Sequence, residues 1–302
     1  MIKIRNIKKY FMDRDYRFMI NALHGMYNNL SDDIYLKHMF KSKLGYELNL
    51  TDPKSFNEKL QWLKIYDRNP LYTKLVDKYE VKEYVASAIG IEYIIPTLGV
   101  WNRFDDINFD SLPNQFVLKC THDSGGLIIV EDKSLLNLDK AKKKMERALN
   151  NNYYYYGREW PYKNVMPRII AEQYLHNEDE ELVDYKFNCF DGKVKCSIVC
   201  TDRNTPNGVH MNFFDREWNA LPYTQHYPKK ETVIAKPKCY DEMIYLAEKL
   251  TRNFTFARVD FYEIDGSVKF GEITFYPTSG FDEFTPIEWD YKLGNWLNLN
   301  KK

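Results

Sequence analysis

The stretch Phe256 to Gly280, FARVDFYEIDGSVKFGEITFYPTSG, carries two carboxylates, Asp260 and Glu272, inside runs that are otherwise aromatic, β-branched or aliphatic. Charge of one sign buried in a sheet is costly, so such a pair implies a cation to hold. The turn between them decides whether they can share one. A two-residue Asp265-Gly266 turn sets Asp260 opposite Gly271 and leaves Glu272 on the other face of the ribbon. A three-residue turn with Gly266 left-handed sets Asp260 opposite Phe270, with Glu272 as its diagonal neighbour. The cation reading therefore expects the three-residue turn, which also brings Arg258 and Thr274 to the same side. The bland alternative is a half-exposed hairpin with scattered charges.

Lys119 ends an apolar run and leads straight into THDSGG. Ser124, Gly125 and Gly126 permit close backbone approach, so the ammonium and the loop amides suit phosphate oxygens. The loop has neither the G-x-x-x-x-G-K nor the G-x-G-x-x-G spacing, and a hairpin turn explains Ser-Gly-Gly equally well. His122 reads as a polar loop residue. A third stretch, Glu172-Gln173-Tyr174-Leu175, ends a strand beside an acidic loop. Backbone groups at such a strand end suit the edge of a purine, and a carboxylate among Glu178, Asp179, Glu180 and Glu181 suits ribose hydroxyls. Asp184 and Lys186 alternate on the next strand and face one way. Arg203, in the polar loop from Thr201 to Asn212, is a candidate clamp for a carboxylate or phosphate.

The elements that must position these groups are legible in outline. Residues 1–48 lack Pro and read as two or three helices; their basic, aromatic start suits a packed helix or a contact with a membrane surface or partner. Ser55 to Glu58 is a capping box that opens a helix to Tyr66, and residues 71–89 read as a helix closed by Gly90. Strands are expected at 93–95, 116–119, 127–130 and 168–175, with a Lys-rich helix at 138–150. Asp191-Gly192 turns a hairpin, and residues 237–253 form an amphipathic helix before the last hairpin. Strands and helices mixed without a repeating βαβ alternation make an α+β chain.

Of 302 residues 44% are apolar, enough for two or three units around a sizeable core, and 43 basic residues balance 43 acidic ones. No global field argues for nucleic acid. Five scattered cysteines without a CxxC pair read as buried thiols in a reducing compartment, not as a disulfide or zinc framework. With no apolar signal segment and no long apolar span, the expectation is a cytoplasmic, soluble protein.

In order, FVLKCTHDSGG, E-Q-Y-L, D-Y-K, R-V-D and F-G-E-I-T followed by T-S-G, together with SFNEKLQWLK and LVDKYEVKEYV, resemble the ATP-grasp superfamily. They are most similar to its teichuronopeptide-biosynthesis, TupA-like family, over roughly residues 50–290. The resemblance implies a nucleotide cleft between two α+β subdomains: a helical N-terminal region at 1–112, a small subdomain at 113–176 and a C-terminal subdomain at 177–302. It implies ATP and Mg²⁺ as cofactors, with Lys119 on the α and β phosphates and Lys78 as the earlier basic residue of the cleft. Ser124, Gly125 and Gly126 become a mobile loop over the γ-phosphate. Glu172, Gln173, Tyr174 and Leu175 become the adenine-reading hinge, Phe270 the base-stacking side chain, and Asp184 and Lys186 further members of the cleft. Asp260 and Glu272 become magnesium ligands, and Arg258 neutralises the transferring phosphoryl group. The chain departs from the usual E-x-N at Thr274, whose hydroxyl is a neutral ligand of shorter reach than an Asn carbonyl.

The activity so implied is an ATP-dependent carboxylate–amine ligation through an acyl phosphate, on a uronic acid or amino acid unit of bacterial surface polysaccharide. Its chemistry is positioning and charge neutralisation, which fits the lack of a Ser-His-Asp set or an activated cysteine. A phosphotransferase working from the same cleft, and a non-catalytic nucleotide-binding scaffold, are the alternatives. A glycosyltransferase is disfavoured because no D-x-D site follows a strand.

Overall fold

Three helices open the chain: α1 (Ile4–Met12), α2 (Arg14–Leu23) and α3 (Asp32–Leu44). They belong to a computed structural model that describes residues 4–177, 182–203, 205 and 208–299. Asp13 caps α2 through Tyr16 N, and α3 stops at Gly45 with φ 80°. Tyr35, Leu36, Met39 and Phe40 bury one side of α3 in a small core that also takes Phe281 from the far end of the chain. The helices are therefore docked on the body and do not form a separate arm.

The Ser55–Glu58 capping box is formed and starts α4 (Phe56–Tyr66). The single helix expected over 71–89 is instead two, α5 (Leu71–Val76) and α6 (Val81–Ala88). Asp77 explains the break: its carboxylate accepts from Tyr79 N at 2.8 Å and Glu80 N at 3.2 Å, a local turn that outcompetes the helix. The strand expected at 93–95 is also displaced. Residues 91–93 form a 3₁₀ turn, and the strand is β1 (Thr97–Trp101), because Pro96 has no N–H for a ladder and pairing begins only after it.

The next elements are β2 (Phe116–Cys120), β3 (Leu127–Val130), α7 (Leu138–Leu149), α8 (Tyr154–Gly157) and β4 (Ile169–Gln173). They make an antiparallel sheet in the order β1-β4-β2-β3. One face, with Phe116, Leu118, Cys120, Ile169 and Ala171, is sealed by Ala141 and Met145 of α7. The other, with Lys119, Ile170 and Glu172, is left for the site. The boundary expected at 112/113 does not hold, since β1 is in this sheet and Phe104, Ile107 and Leu112 are in its core.

The last elements are β5 (Asp184–Phe190), β6 (Lys193–Thr201), β7 (His210–Asp215), β8 (Thr224–Gln225), α9 (Tyr240–Thr251), β9 (Phe256–Ile264), β10 (Ser267–Thr274), β11 (Phe284–Thr285) and α10 (Glu288–Trp296). The main sheet runs β10-β9-β5-β6-β7, all antiparallel. The β5–β6 and β9–β10 hairpins turn on Asp191-Gly192 and Asp265-Gly266, all four residues at positive φ, as a two-residue turn of matching twist requires. Tyr240, Met243 and Ala247 of α9 cover one face with Phe187, Val259 and Phe261. On the other face α4 fills only one end, where the Phe56 ring lies 5.0 Å from that of Phe256 and 5.8 Å from that of Phe190. Residues of α4, α5 and α6 share this core, so positions 1–112 do not form a unit of their own.

Candidate active site

The β9–β10 turn is the two-residue one, with Phe270 opposite Phe261, yet Glu272 stands directly opposite Asp260. A β-bulge at Gly271 absorbs one residue and restores the parity that the turn takes away. Phe270 consequently faces the other way. It is 4% exposed, in the main core against Phe261, and cannot stack on a base from there.

Three strands then set their polar side chains in rows. Lys186, Asp260 and Glu272 are successive cross-strand partners, and Asn188, Arg258 and Thr274 form the next row. Arg258 Nε donates to Asp260 Oδ1 at 2.7 Å and its Nη2 to Asp260 Oδ2 at 2.8 Å; the same Nη2 reaches Thr274 Oγ1 at 3.1 Å and Glu272 Oε1 at 3.3 Å. Lys186 donates to Asp260 and, at 2.7 Å, to Asp184, which also receives Arg203. Burial opposes ionisation of Asp260, but Arg258 and Lys186 together outweigh it and hold the carboxyl below its usual range. Lys186 is held above its usual range in the same way, against burial, by Asp184 and Asp260. The buried oxygens Asp184 Oδ1 and Asn188 Oδ1 have no hydrogen-bond partner among the described residues.

On the small sheet Glu172 is buried between two ammonium groups, Lys119 Nζ at 2.6 Å and Lys82 Nζ at 2.5 Å. Burial pushes its carboxyl up, and the two lysines pull it further down, to a net lowering. Lys82 is missing from the sequence reading, although it follows Lys78 closely in LVDKYEVK. Leu127 and Ile129 are 38% and 46% exposed and alternate onto the face that carries Lys119, an apolar wall hidden in an all-apolar L-I-I-V run. Lys78 puts its ammonium on the Asp123 carbonyl, at the foot of the glycine loop. Ser124 and Gly125 are exposed, and Gly125 has φ 118°. A Cβ on Gly126 would lie 2.9 Å from that of Ala148, so the loop's approach to α7 requires glycine. His122 Nε2 caps the end of α7 at the Ala148 and Asn151 carbonyls.

Gln173 is exposed at the strand end; Tyr174 bonds Glu131 at 3.1 Å and stacks on His176. Leu175 is half-buried. Glu178, Asp179, Glu180 and Glu181 lie outside the described residues, as do positions 204, 206 and 207 of the Arg203 loop. Between the two sheets stand groups that the sequence reading did not single out. Tyr153 and Tyr162, ring centres 5.0 Å apart, both feel the charges of Glu272 and Arg258. Below them Ser279, in a left-handed backbone at φ 56°, donates to the buried Glu159, while its carbonyl accepts from the buried Lys64 at 2.8 Å.

Asp260 and Glu272 fit the modest demand of Mg²⁺, which takes one or two carboxylates and fills its octahedron with water and phosphate oxygens. Among the described residues no group of three or more His, Cys, Asp or Glu forms a self-sufficient cage. Glu272, with its side chain 44% exposed, is the carboxylate open to a newcomer, whereas both Asp260 oxygens are engaged by Arg258 and Lys186.

The chain belongs to the TupA-like ATP-grasp family, which it matches over residues 58–298. No curated protein matches it in sequence. Among solved structures it is similar to D-alanine–D-alanine ligase from Bacillus anthracis complexed with ATP, at 15% identity over 95% of this chain and 92% of that one, TM-score 0.45. It is also similar to D-cycloserine synthetase DcsG, at 15% identity over 76% and 72%, TM-score 0.41. The ATP-grasp ligase PsnB complexed with minimal precursor aligns at 12% identity over 68% of this chain, TM-score 0.40, and the chain spans 53% of its length. No helix among the described residues is long and apolar enough to cross a membrane.

Proposed function

We propose that the chain is an ATP- and Mg²⁺-dependent carboxylate–amine ligase acting on a uronic acid or amino acid unit in the assembly of bacterial surface polysaccharide. The observation that carries this reading is the Lys186–Asp260–Glu272 row with Arg258 beside it, two cations and two carboxylates set side by side on one sheet face, of which Glu272 is the exposed member. A carboxylate oxygen of the acid attacks the γ-phosphorus and ADP leaves; the amine then attacks the acyl carbon, phosphate departs and the nitrogen gives up a proton. In that sequence Lys119 and Lys78 hold the α and β phosphates, and the loop Ser124–Gly126 covers the γ-phosphate. Glu172 to Leu175, with Leu127 and Ile129 as the apolar wall, receive the base. Arg258 and Lys186 meet the charge that gathers on the transferring group, and Arg203 clamps the acid. Asp260, Glu272 and Thr274 would hold Mg²⁺, which when bound lowers the charge repulsion between triphosphate and incoming carboxylate. The exposed Ile7, Phe11 and Met12 beside Lys8 and Lys9 extend the reading to a peripheral membrane or partner contact.

Incubation of the protein with ATP, Mg²⁺ and panels of acids and amines, with ADP and amide followed by mass spectrometry, tests it. Acid- and amine-dependent ADP release is expected; absence of any nucleotide binding ends the proposal. A stable phosphorylated alcohol formed without an amine marks a phosphotransferase instead.

A further inference from the structure

The first helix is clasped on one side. Tyr10 donates its hydroxyl to Asn21 Oδ1 at 2.8 Å, and Arg17 Nη1 donates to the last carbonyls of α1, that of Phe11 at 3.1 Å and that of Tyr10 at 3.4 Å. Helical spacing sets Ile7 and Phe11 in one row of the opposite arc and Lys8 and Met12 in the next, each pair four residues apart. Ile7 is 48% exposed, Phe11 71% and Met12 75%. Lys8 is exposed as well and makes no hydrogen bond or ion pair among the described residues. The clasp to α2 thus turns large apolar side chains outward with a cation among them.

Arg14, two residues beyond α1, leads into a pocket of about 280 Å³ whose lining includes Asp15 and Arg17 and the apolar faces of Phe18, Tyr27 and Ile34. The Phe18 and Tyr27 rings stack with centres 4.5 Å apart, which fixes that lining. Asp15 offsets part of the positive charge, while Arg14 has no hydrogen-bond or ion-pair partner among the described residues. Residues 1–17 carry six Lys or Arg against two Asp, in a chain of zero formal net charge. Positive charge and exposed apolar bulk therefore coincide at this end.

That combination selects the occupant. A stable protein partner covers about 800 Å² on each side. Helix α1 offers about two and a half turns with three protruding apolar side chains, too little for such an interface and enough for shallow insertion into lipid, with lysines beside the inserted groups meeting anionic headgroups. The family match begins at residue 58, so family membership does not account for this surface.

We propose that α1 and the adjoining pocket dock the protein on an anionic phospholipid bilayer. Ile7, Phe11 and Met12 enter the boundary between headgroups and acyl chains, Lys8 and Lys9 face lipid phosphates, and the pocket seats one lipid with its phosphate at Arg14. The proposal rests on the peripheral contact named above and commits it to one partner; bilayer binding is measured without nucleotide or substrate.

The test is flotation of the full chain with vesicles of phosphatidylcholine alone and of phosphatidylcholine with an equal part of phosphatidylglycerol, at low and raised salt. Binding to the anionic vesicles is expected to be about tenfold or more stronger and to fall as salt is added. Lys8→Gln and Lys9→Gln are expected to weaken it about fivefold for each charge removed, and Phe11→Asn with Met12→Asn about tenfold or more. All four side chains lie on the surface, so melting temperature and affinity for a fluorescent ATP analogue are expected to stay at the parent's values. Equal binding to the two vesicle types, no binding to either, or a Phe11→Asn, Met12→Asn variant that floats like the parent would overturn the proposal. So would a concentration-dependent dimer that this variant abolishes and that does not float with vesicles, since a second copy would then own the surface. Vesicle binding without any analogue binding would support the bilayer site and strike the ligase reading alone.

Discussion

Asp260 and Glu272 are direct cross-strand partners because the ladder between β9 and β10 skips Gly271. A Cβ at that position would lie 3.1 Å from the Asp260 carbonyl oxygen and 3.2 Å from the Tyr262 ring. Gly271→Val is therefore expected to destabilise the protein by about 1–3 kcal/mol, as overpacking does, and to lower turnover by disturbing the carboxylate pair. Denaturant midpoints and ADP release measure the two effects; an unchanged midpoint would mean the bulge has slack.

The two carboxylates should fail differently. Glu272 is 44% exposed and weakly paired, so Glu272→Gln is expected to shift stability by no more than about 0.5 kcal/mol while reducing ADP formation about a hundredfold. Asp260→Asn strands Arg258 and Lys186 in the sheet and is expected to cost about 3–5 kcal/mol in addition to activity. Equal stability losses in thermal melts would contradict this division.

Lys82, Glu172 and Lys119 make one buried unit. Lys82→Met is expected to destabilise, and Glu172→Gln in the same chain to recover part of the loss. A coupling energy of about 0.5–3 kcal/mol in a double-mutant cycle is the expected reading; additive losses would show that Lys82 is not a partner of the carboxylate in solution.

Burial raises the Glu159 carboxyl from 4.5 to about 7, against the pull of Lys64, and lowers Lys64 from 10.5 to about 7. The folded state thus holds the Glu159 proton more tightly than the unfolded chain does. Its contribution to stability is full below pH 4.5 and declines as pH rises towards 7. Lys64 has the opposite sign: its contribution grows from about pH 7 to 10.5 and is lost as pH falls through 7. Melting temperature of Glu159→Gln minus that of the parent is expected to increase between pH 4.5 and 7; a flat difference would refute the assignment.

How much of this was legible in the chain depends on range. Ser55 and Glu58, Leu127 to Val130 and Asp191-Gly192 act through neighbours, and their helix start, strand and turn stand where their types place them. The Asp265-Gly266 turn was open between two forms on local grounds, because the compensating bulge at Gly271 answers to pairing across the sheet. Phe270 follows the same register into the core, out of the nucleotide's reach. Lys82 becomes visible only when α6 is laid against β4, and Glu159 only when Ser279, 120 positions away, lies beside it.

The neutralised state of Arg258 and Lys186 has a kinetic side. Both cations already own a counterion in Asp260, so on the proposed ligase reading an arriving triphosphate would compete with a carboxylate of the protein itself. The same carboxylate recaptures them as ADP departs. On that reading such a tethered competitor weakens the hold on spent nucleotide, and ADP release is expected not to be the slow step of the cycle. A pre-steady-state burst of bound ADP would contradict this.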